Sequence, residues 1–162
     1  MSNDLEKRIR LIEDELALKK LINTYHKRAD AFDWVGWSET LTEDSLFEFV
    51  GGFGNMSGRR MIHDICKAQM DPVYDDFQHY MVNLDFEIDG SDTATGTGNI
   101  IFVAVEGGAK PTEIYMAGGR YNWKFVRTSD GWRIKQTLLQ WVWNNGQDKA
   151  GVFTPVTESA AA

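Results

Sequence analysis

Three side chains in this sequence have the chemistry to move a proton without a metal ion or a cofactor. Tyr25 and Asp30 stand five residues apart near the end of a long predicted helix, and His79 lies in the segment of residues 77–80. A carboxylate can orient an imidazole, the imidazole can accept and release a proton near neutral pH, and a phenol can donate a hydrogen bond. These residue types predict acid–base chemistry centred on His79.

The rest of the sequence offers no competing set of catalytic groups. It has no cluster of histidine and cysteine at metal-ligand spacing and no serine in a nucleophile elbow. The glycine-rich residues 51–55 lack the lysine and hydroxyl of a phosphate-binding loop, so we predict a flexible turn or lid there. The single Cys66 excludes an intrachain disulfide and is expected to be buried in a helix. We therefore expect no metal and no cofactor.

The length and composition are those of one globular domain. The chain has 162 residues, of which 43% are hydrophobic and 25% are charged, so one sizeable core can form. We predict a single domain over residues 1–145 and a C-terminal tail over residues 146–162. The end of that tail, residues 156–162, is expected to be disordered.

The charge of the chain excludes two classes of partner. The net charge is −7 at pH 7, whereas binding to nucleic acid or to an anionic membrane surface needs a basic face. The N-terminus is charged from the start, and no stretch approaches the roughly 20 apolar residues of a membrane span. We expect a cytoplasmic protein.

Helical spacing of apolar residues predicts three helices in the first half of the chain. The first covers residues 4–31, the second residues 34–41 with Asp33 as its N-cap, and the third residues 57–70 with Ser57 as its N-cap. The third helix is expected to turn Met61, Ile65 and Met70 inward. The expected inward stripe of the first helix comprises Leu5, Ile9, Ile12, Leu16, Leu21 or Ile22, Tyr25 and Ala29.

Strands are predicted in the middle and second half of the chain. A short strand covers residues 46–50, and long strands cover residues 77–88, 94–105, 113–127 and 132–143. Turn residues at 89–90 and 129–131 join neighbouring strands in the manner of antiparallel hairpins. The predicted fold class is α+β, with three N-terminal helices packed on a strongly curved, mainly antiparallel sheet that forms a cone.

The residues at the end of the first helix and in the last hairpin carry a family resemblance. Tyr25, Asp30, Asp33 and Trp34, together with residues 119–134, resemble the SnoaL-like group of the nuclear transport factor two-like superfamily. The resemblance covers roughly residues 5–145 and implies a cone-shaped α+β barrel. Because this fold hosts enzymes and binding modules alike, the fold alone does not decide the function.

A closer resemblance is to the cofactor-free lyases of that group: scytalone dehydratase, hexachlorocyclohexane dehydrochlorinase and bile-acid dehydratase. It implies that His79 is the general acid or base, that Asp30 orients it, and that Tyr25 donates a hydrogen bond to a developing oxyanion. Two departures stand out. The arginine of the bile-acid enzyme falls at Trp141, and the lysine of the dehydrochlorinase falls near Tyr25, so the substrate or leaving group should differ.

Strand alternation taken alone gives a different expectation for His79. It groups His79 with the polar residues of its strand, opposite an apolar set, so a solvent-facing histidine is an equal alternative. The apolar set comprises Tyr80, Val82, Leu84, Phe86 and Ile88. The family resemblance implies a bend after His79 that would turn it inward. His26 and His63 have charged neighbours and are predicted at the surface.

Aromatic residues from several elements could line a pocket for a bulky apolar or aromatic substrate. The candidates for substrate binding are Trp34, Phe53, Phe102, Tyr115, Arg120 and Trp141, with Trp143 as a further aromatic candidate. Trp141 and Trp143 share a predicted strand face, which could instead form an oligomer interface, since related lyases form trimers.

The function predicted from the sequence is a cofactor-independent lyase that acts on a bulky hydrophobic, aromatic alcohol. The elimination would release water in a dehydration, or formaldehyde in a retro-aldol-type deformylation. One alternative is an isomerase like ketosteroid isomerase, and another is a non-catalytic assembly subunit like the small subunit of ring-hydroxylating dioxygenases. A homo-oligomer, either a trimer or a dimer, is expected.

Overall fold

A computed structural model describes residues 2–110 and 112–146, with side chains from residue 4 onward. Residues 147–162 of the predicted tail therefore lie outside the described residues. The elements follow in the order α1 (Ser2–Asp30), α2 (Trp34–Ser38), β1 (Leu41–Val50), β2 (Gly54–Ser57), α3 (Arg59–Met70), β3 (Tyr74–Ile88), β4 (Thr93–Glu106), β5 (Ile114–Thr128) and β6 (Gly131–Asn144).

The six strands form one sheet in the order β2-β1-β6-β5-β4-β3. Strands β1 and β6 pair in parallel, and every other neighbouring pair is antiparallel. Helices α1 and α3 pack on the sheet around a core rich in aromatic side chains. The predicted α+β class with a curved, mainly antiparallel sheet is confirmed. The predicted long strands correspond to β3, β4, β5 and β6, and β5 begins one residue later than predicted.

The structure corrects the predicted boundaries around the first strands. Helix α2 ends at Ser38, and Leu41 begins β1 instead of ending the helix. Residues 51–53 form the turn of a β1–β2 hairpin. Gly51 in the turn and Gly54 at the start of β2 have φ angles of 84° and 86°, which favour glycine. The predicted N-cap of α2 is confirmed, because the Asp33 carboxylate accepts a 3.0 Å hydrogen bond from the Gly36 N–H.

Helix α3 differs from its prediction in both its start and its buried face. It begins at Arg59 after Gly58, and no side chain caps it, because Ser57 is the last residue of β2. The buried residues are Ile62, Cys66 and Met70, which recur every four residues. Met61 is exposed instead, and Ile65 packs only at the edge of the core.

Helix α1 buries a different stripe from the one that its apolar spacing predicts. Its second half turns Leu18, Ile22, Tyr25 and Ala29 into the core, whereas four apolar residues of its first half are exposed. The exposed residues are Leu5, Ile9, Ile12 and Leu16. The helix therefore carries two apolar stripes on different faces, and the prediction of one continuous stripe is wrong.

Polar contacts fix the first half of α1 against the sheet. The buried Asp14 carboxylate accepts two 2.7 Å hydrogen bonds from Arg127 Nη2 and one of 3.2 Å from Trp132 Nε1. The Arg127 guanidinium also lies 4.4 Å from the centre of the Trp132 ring. Because a buried carboxylate needs such partners, Asp14 determines which face of this half points inward.

A bulge in β3 resolves the orientation of His79. The pairing of β3 with β4 shifts register between Val82 and Asp85, where Asn83 has a φ angle of 54°. Before this bulge His79 faces the core, and Tyr80 and Val82 are exposed, while after it Leu84 packs on the core. An extra residue in one strand reverses its alternation. The expectation of a solvent-facing His79 is therefore wrong.

Candidate active site

Asp30 and His79 form a close pair where the end of α1 meets β3. The Asp30 Oδ1 atom lies 2.5 Å from His79 Nδ1, and both carboxylate oxygens lie 3.2 Å from the backbone N–H of His79. An ionised carboxylate can only accept hydrogen bonds, so Nδ1 carries the proton. The Nε2 atom of the neutral ring then remains as the proton acceptor.

The pair is shielded from solvent by aromatic side chains. The side chains of His79 and Asp30 are 12% and 25% exposed, respectively. The His79 ring centre lies 5.0 Å from that of Phe102 and 5.6 Å from that of Phe77, both in edge-on geometry. Exclusion of water strengthens the contact between the carboxylate and the imidazole.

His79 faces a small cavity between the helices and the sheet, with a volume of about 50 Å³. Most of the wall consists of apolar aromatic and aliphatic side chains. Its ionisable groups belong to one histidine, two tyrosines and Cys66. The predicted residues that line it are His79, Tyr25, Trp34, Phe53, Phe102 and Trp141. Asp30 lies behind His79 and is absent from the wall, which suits a residue that orients another.

Three predicted pocket residues lie elsewhere. Tyr115 is buried behind the wall, with its ring centre 6.2 Å from that of Phe102, and Arg120 is exposed, between Asn99 and Gln140 in register. Trp143 is exposed and lies over Gly118. None of the three belongs to the cavity wall.

Trp141 is buried and Trp143 is exposed because the pairing of β5 with β6 is irregular between them. The pairing of β5 with β6 shifts between Gly118, which faces Trp143, and Gly119, which faces Trp141. The extra residue in β6 breaks the alternation, so one indole enters the cavity wall and the other stays outside. The expectation that both tryptophans share one face is wrong.

A second tyrosine, Tyr121, lines the cavity together with Tyr25. Tyr121 is not among the candidate site residues predicted from the sequence. Burial is the largest cause that raises the pKa of each hydroxyl well above its usual value. Electrostatic interaction with Tyr121 and Cys66 raises the pKa of Tyr25 further. Both phenols therefore stay protonated and can act as hydrogen-bond donors. The alternation of Tyr121, Trp123 and Phe125 along β5 was the signal that could have indicated it.

His26 lies directly behind the pair, contrary to the prediction that it is at the surface. It is 4% exposed, and its ring centre lies 5.0 Å from that of His79 and 4.9 Å from that of Tyr25. Within the described residues neither ring nitrogen has a hydrogen-bond partner. Burial, followed by the proximity of His79, lowers the pKa of His26 well below its usual value, so the ring is uncharged near neutral pH. His63, by contrast, lies partly exposed beside Asp64 on α3.

A family model described as a SnoaL-like domain matches residues 10–137, which is most of the chain. The chain belongs to the SnoaL-like family. Its membership agrees with the observed sheet and with the residues that suggested the resemblance. No curated protein matches the sequence.

Solved structures show the same fold at low sequence identity. A scytalone-dehydratase-like protein of Novosphingobium aromaticivorans is 13% identical, with a TM-score of 0.80 over 94% of this chain and 99% of that one. A hexachlorocyclohexane dehydrochlorinase of Novosphingobium barchaimii is 17% identical, with a TM-score of 0.74 over 93% and 95%. A nuclear transport factor two-like protein with a cystatin-like fold, from Novosphingobium aromaticivorans, is 24% identical, with a TM-score of 0.66 over 93% and 96%.

The described part of this SnoaL-like domain contains neither a cluster of metal-ligand side chains nor a helix that could span a membrane. Within residues 2–110 and 112–146, no three or more side chains of His, Cys, Asp and Glu are grouped so that they could hold a metal ion. Among the same residues, no helix has both the length and the apolar composition needed to span a membrane.

Proposed function

We propose that this SnoaL-like domain is a cofactor-independent lyase that acts on an uncharged hydrophobic alcohol. The observation that carries the proposal is the 2.5 Å contact between Asp30 and His79 Nδ1, which leaves Nε2 as the free nitrogen of a histidine that lines an apolar cavity. An oriented imidazole in a site that excludes water can abstract a proton without any other catalytic group.

The proposed steps follow from the free nitrogen of His79. In a dehydration, Nε2 takes a proton from carbon, the electron pair forms a double bond, and the neighbouring carbon–oxygen bond breaks to release water after protonation. In a deformylation, Nε2 takes the hydroxyl proton of a hydroxymethyl group, and the carbon–carbon bond breaks to release formaldehyde. The electron pair left on the remaining carbon then takes the proton back from the imidazolium. Asp30 stabilises the imidazolium that forms in either case.

Tyr25 and Tyr121 would stabilise the oxygen that gains negative charge. Both hydroxyls belong to buried side chains of the cavity wall, and both pKa values are raised, chiefly by burial. A protonated phenol in a dry site donates a strong hydrogen bond to a developing oxyanion or to a departing hydroxide. Tyr25 stands near the position at which the resemblance places the lysine of the dehydrochlorinase.

The cavity wall favours an uncharged substrate. No lysine, arginine or carboxylate belongs to the described wall, and Trp141 occupies the position at which the resemblance places an arginine. A carboxylate or a coenzyme A ester would lose its water without gaining a cationic partner, which is costly in free energy. A neutral aromatic or alicyclic alcohol incurs no such cost.

The wall must move to admit such a substrate. The cavity of about 50 Å³ is smaller than the roughly 300 Å³ at which small-molecule pockets begin. Phe53 closes one side from the β1–β2 turn, where it stands between Gly52 and Gly54 and packs edge-on against Phe49 with ring centres 4.7 Å apart. We infer that this glycine-rich turn swings Phe53 away when the substrate enters.

An isomerase is the second candidate, and the two tyrosines are the observation that favours it. Two neutral phenols beside one base could stabilise an enolate while His79 moves a proton between carbons. A pure binding module fits less well, because it has no need of a partly buried carboxylate and imidazole in contact beside a cavity.

The test is incubation of the protein with a series of uncharged aromatic alcohols, followed by mass spectrometry. Loss of water or of formaldehyde supports the lyase, whereas exchange of substrate hydrogen with deuterated water without loss of mass supports the isomerase. His79→Ala should abolish the reaction, and His63→Ala, outside the cavity, should retain it. Turnover that survives His79→Ala would contradict both candidates.

A further inference from the structure

The first half of α1 presents an apolar stripe to the solvent. This stripe, which we call the outer stripe, consists of Leu5, Ile9, Ile12 and Leu16. Each of its side chains is between 46% and 62% exposed. They are separated by four, three and four residues, which is the spacing of core positions in a two-helix coiled coil. At 3.6 residues per turn the outer stripe lies roughly 145° around the helix from the face that α1 packs on the sheet.

The outer stripe belongs to a helix that is held firmly in place. Asp14 anchors this half of α1 to Arg127 and Trp132, and Arg10 lies 3.6 Å from Asp92 in the turn between β3 and β4. The exposed side chains therefore cannot reach the core by rotation of the helix. A row of four large aliphatic residues in water marks an interaction site.

We propose that a second copy of this chain covers the outer stripe, and that the two α1 helices pack in parallel and in register. Ile9 and Leu16 then occupy the a positions of the heptad, and Leu5 and Ile12 occupy the d positions. The surface that the stripe presents is self-complementary, because each of these residues meets its own counterpart across a two-fold axis.

The charged residues beside the outer stripe select the parallel arrangement. In a parallel pair, a residue at the g position faces the e position five residues later in the partner helix. Arg8 then faces Glu13, and Glu15 faces Lys20, so all four contacts of the symmetric pair join opposite charges. Within the described residues Arg8 and Glu13 make no other ion pair, and Glu15 contacts Lys19 at 2.5 Å.

An antiparallel arrangement brings like charges together. There e faces e and g faces g, so Arg8 would still meet Glu15, but Glu6 would meet Glu13 on the other side of the stripe. Like charges opposed across a helix interface disfavour that orientation.

The outer stripe and the face that packs on the sheet lie on different sides of α1. Because the outer stripe points away from the sheet, the two domains lie on opposite sides of the paired helices. Two heptads bury less than the roughly 800 Å² per partner of a standard interface, so we expect a dissociation constant in about the micromolar range.

Sedimentation velocity over a concentration series of the full chain tests the interface. Ile9→Glu combined with Ile12→Glu should weaken self-association at least about tenfold, since charges would be buried at the core positions. Ala17→Glu, an exposed position beside the stripe, is the matched control and should associate like the unaltered chain. Far-ultraviolet circular dichroism confirms that both variants are folded. Equal association of all three proteins would overturn the proposal.

Cysteine cross-linking tests the direction of the helices. The only native cysteine, Cys66, is buried, so an introduced cysteine dominates the reaction. Ile12→Cys should form a disulfide-linked dimer under mild oxidation, and Ala17→Cys should not. If a mixture of Ile9→Cys and Ile12→Cys cross-links more than either variant alone, the helices are antiparallel and the proposed register is wrong.

A charge exchange tests the pairing of Arg8 with Glu13. Arg8→Glu should weaken self-association several-fold, and addition of Glu13→Arg should restore it, because each interface contact again joins opposite charges. Absence of rescue would contradict the pairing. Co-sedimentation with phosphatidylcholine vesicles, if it required Ile9 and Ile12 while the chain stayed monomeric, would assign the stripe to a lipid surface and overturn the proposal.

Discussion

The two halves of α1 differ in the residues that they bury. The second half places His26 and Asp30 against His79, so polar groups are inside, while the first half leaves Leu5, Ile9, Ile12 and Leu16 in solvent. Each arrangement carries a cost in folding free energy that simple amphipathic packing would avoid. The comparison suggests where to look for function, because the departures from the apolar pattern coincide with the proposed catalytic pair at one end of the helix and the proposed contact surface at the other.

The largest expected effect is at the second half of α1, where Asp30 contacts His79. His79→Ala should lower kcat by at least about a hundredfold, because a positioned base commonly contributes that much or more. The fold should survive, since the histidine lies at a cavity wall. His63→Ala is the control, and steady-state kinetics with a responsive alcohol is the measurement.

Asp30 should act by orienting His79 and should have no independent effect on the reaction. Asp30→Asn should lower kcat by as much as His79→Ala or less, and the double variant should be little worse than the more damaging single one. Losses that multiply in the double variant would show that the two residues do not work as one unit.

The next largest effect should be at the other half of α1, and on stability. Asp14→Asn leaves the Arg127 guanidinium without a charged buried partner and should lower the free energy of unfolding by about 2 kcal/mol. Asp92→Asn removes a contact of the same arginine at an exposed position, and should cost about 0.5 kcal/mol or less. Urea unfolding measures both, and equal losses would mean that Asp14 does not anchor the helix.

A smaller effect is expected from the aromatic wall. Trp141→Ala should raise KM several-fold and leave kcat nearly unchanged, because the indole contacts ground state and transition state alike. Trp141→Arg should weaken neutral ligands more than Trp141→Ala does, since a charge is costly in this cavity. Trp143→Ala, on the exposed side of the same strand, is the matched control. Ligand affinity is measured by quenching of tryptophan fluorescence. Tighter binding of anionic than of neutral ligands to the unaltered protein would contradict the proposed substrate class.

The smallest effect concerns His26 and appears in the pH dependence of stability. Its pKa in the folded state is lowered by burial and by His79, so the unfolded chain takes up a proton first as the pH falls below about 6.5. Above that pH His26 does not affect the free energy of unfolding. Below it, protonation of His26 in the unfolded chain lowers the free energy of unfolding progressively. His26→Phe should reduce the drop in urea midpoint between about pH 8 and about pH 5. An unchanged drop would show that His26 is not the buried titrating group.

The sequence indicated the fold and the pairing of Asp30 with His79, but not which way several of the side chains point. Long strands with clear turn residues predicted β3 to β6, because alternation and turn chemistry are local properties. The bulge at Asn83, which turns His79 inward, depends on pairing with β4 and left no local signal. The same holds for the shift that separates Trp141 from Trp143.

The buried faces of the helices also required the tertiary structure. Spacing could not show that α1 carries two stripes, because the choice between them rests on the contact of Asp14 with Arg127, 113 residues away. His26 was missed for a related reason. Its charged neighbours predict a surface position, although its place one turn before Asp30 puts it on the same face of the helix.

The protonation of His79 tests the central claim most directly. The chain has three histidines, so long-range ¹H–¹⁵N correlation spectra of the ¹⁵N-labelled protein can be assigned with His26→Phe and His63→Ala. The account predicts that neutral His79 carries its proton on Nδ1, bound to Asp30, and that Asp30→Asn disturbs this tautomer. A neutral His79 with its proton on Nε2 would contradict the account, since no free nitrogen would then face the cavity to accept a proton.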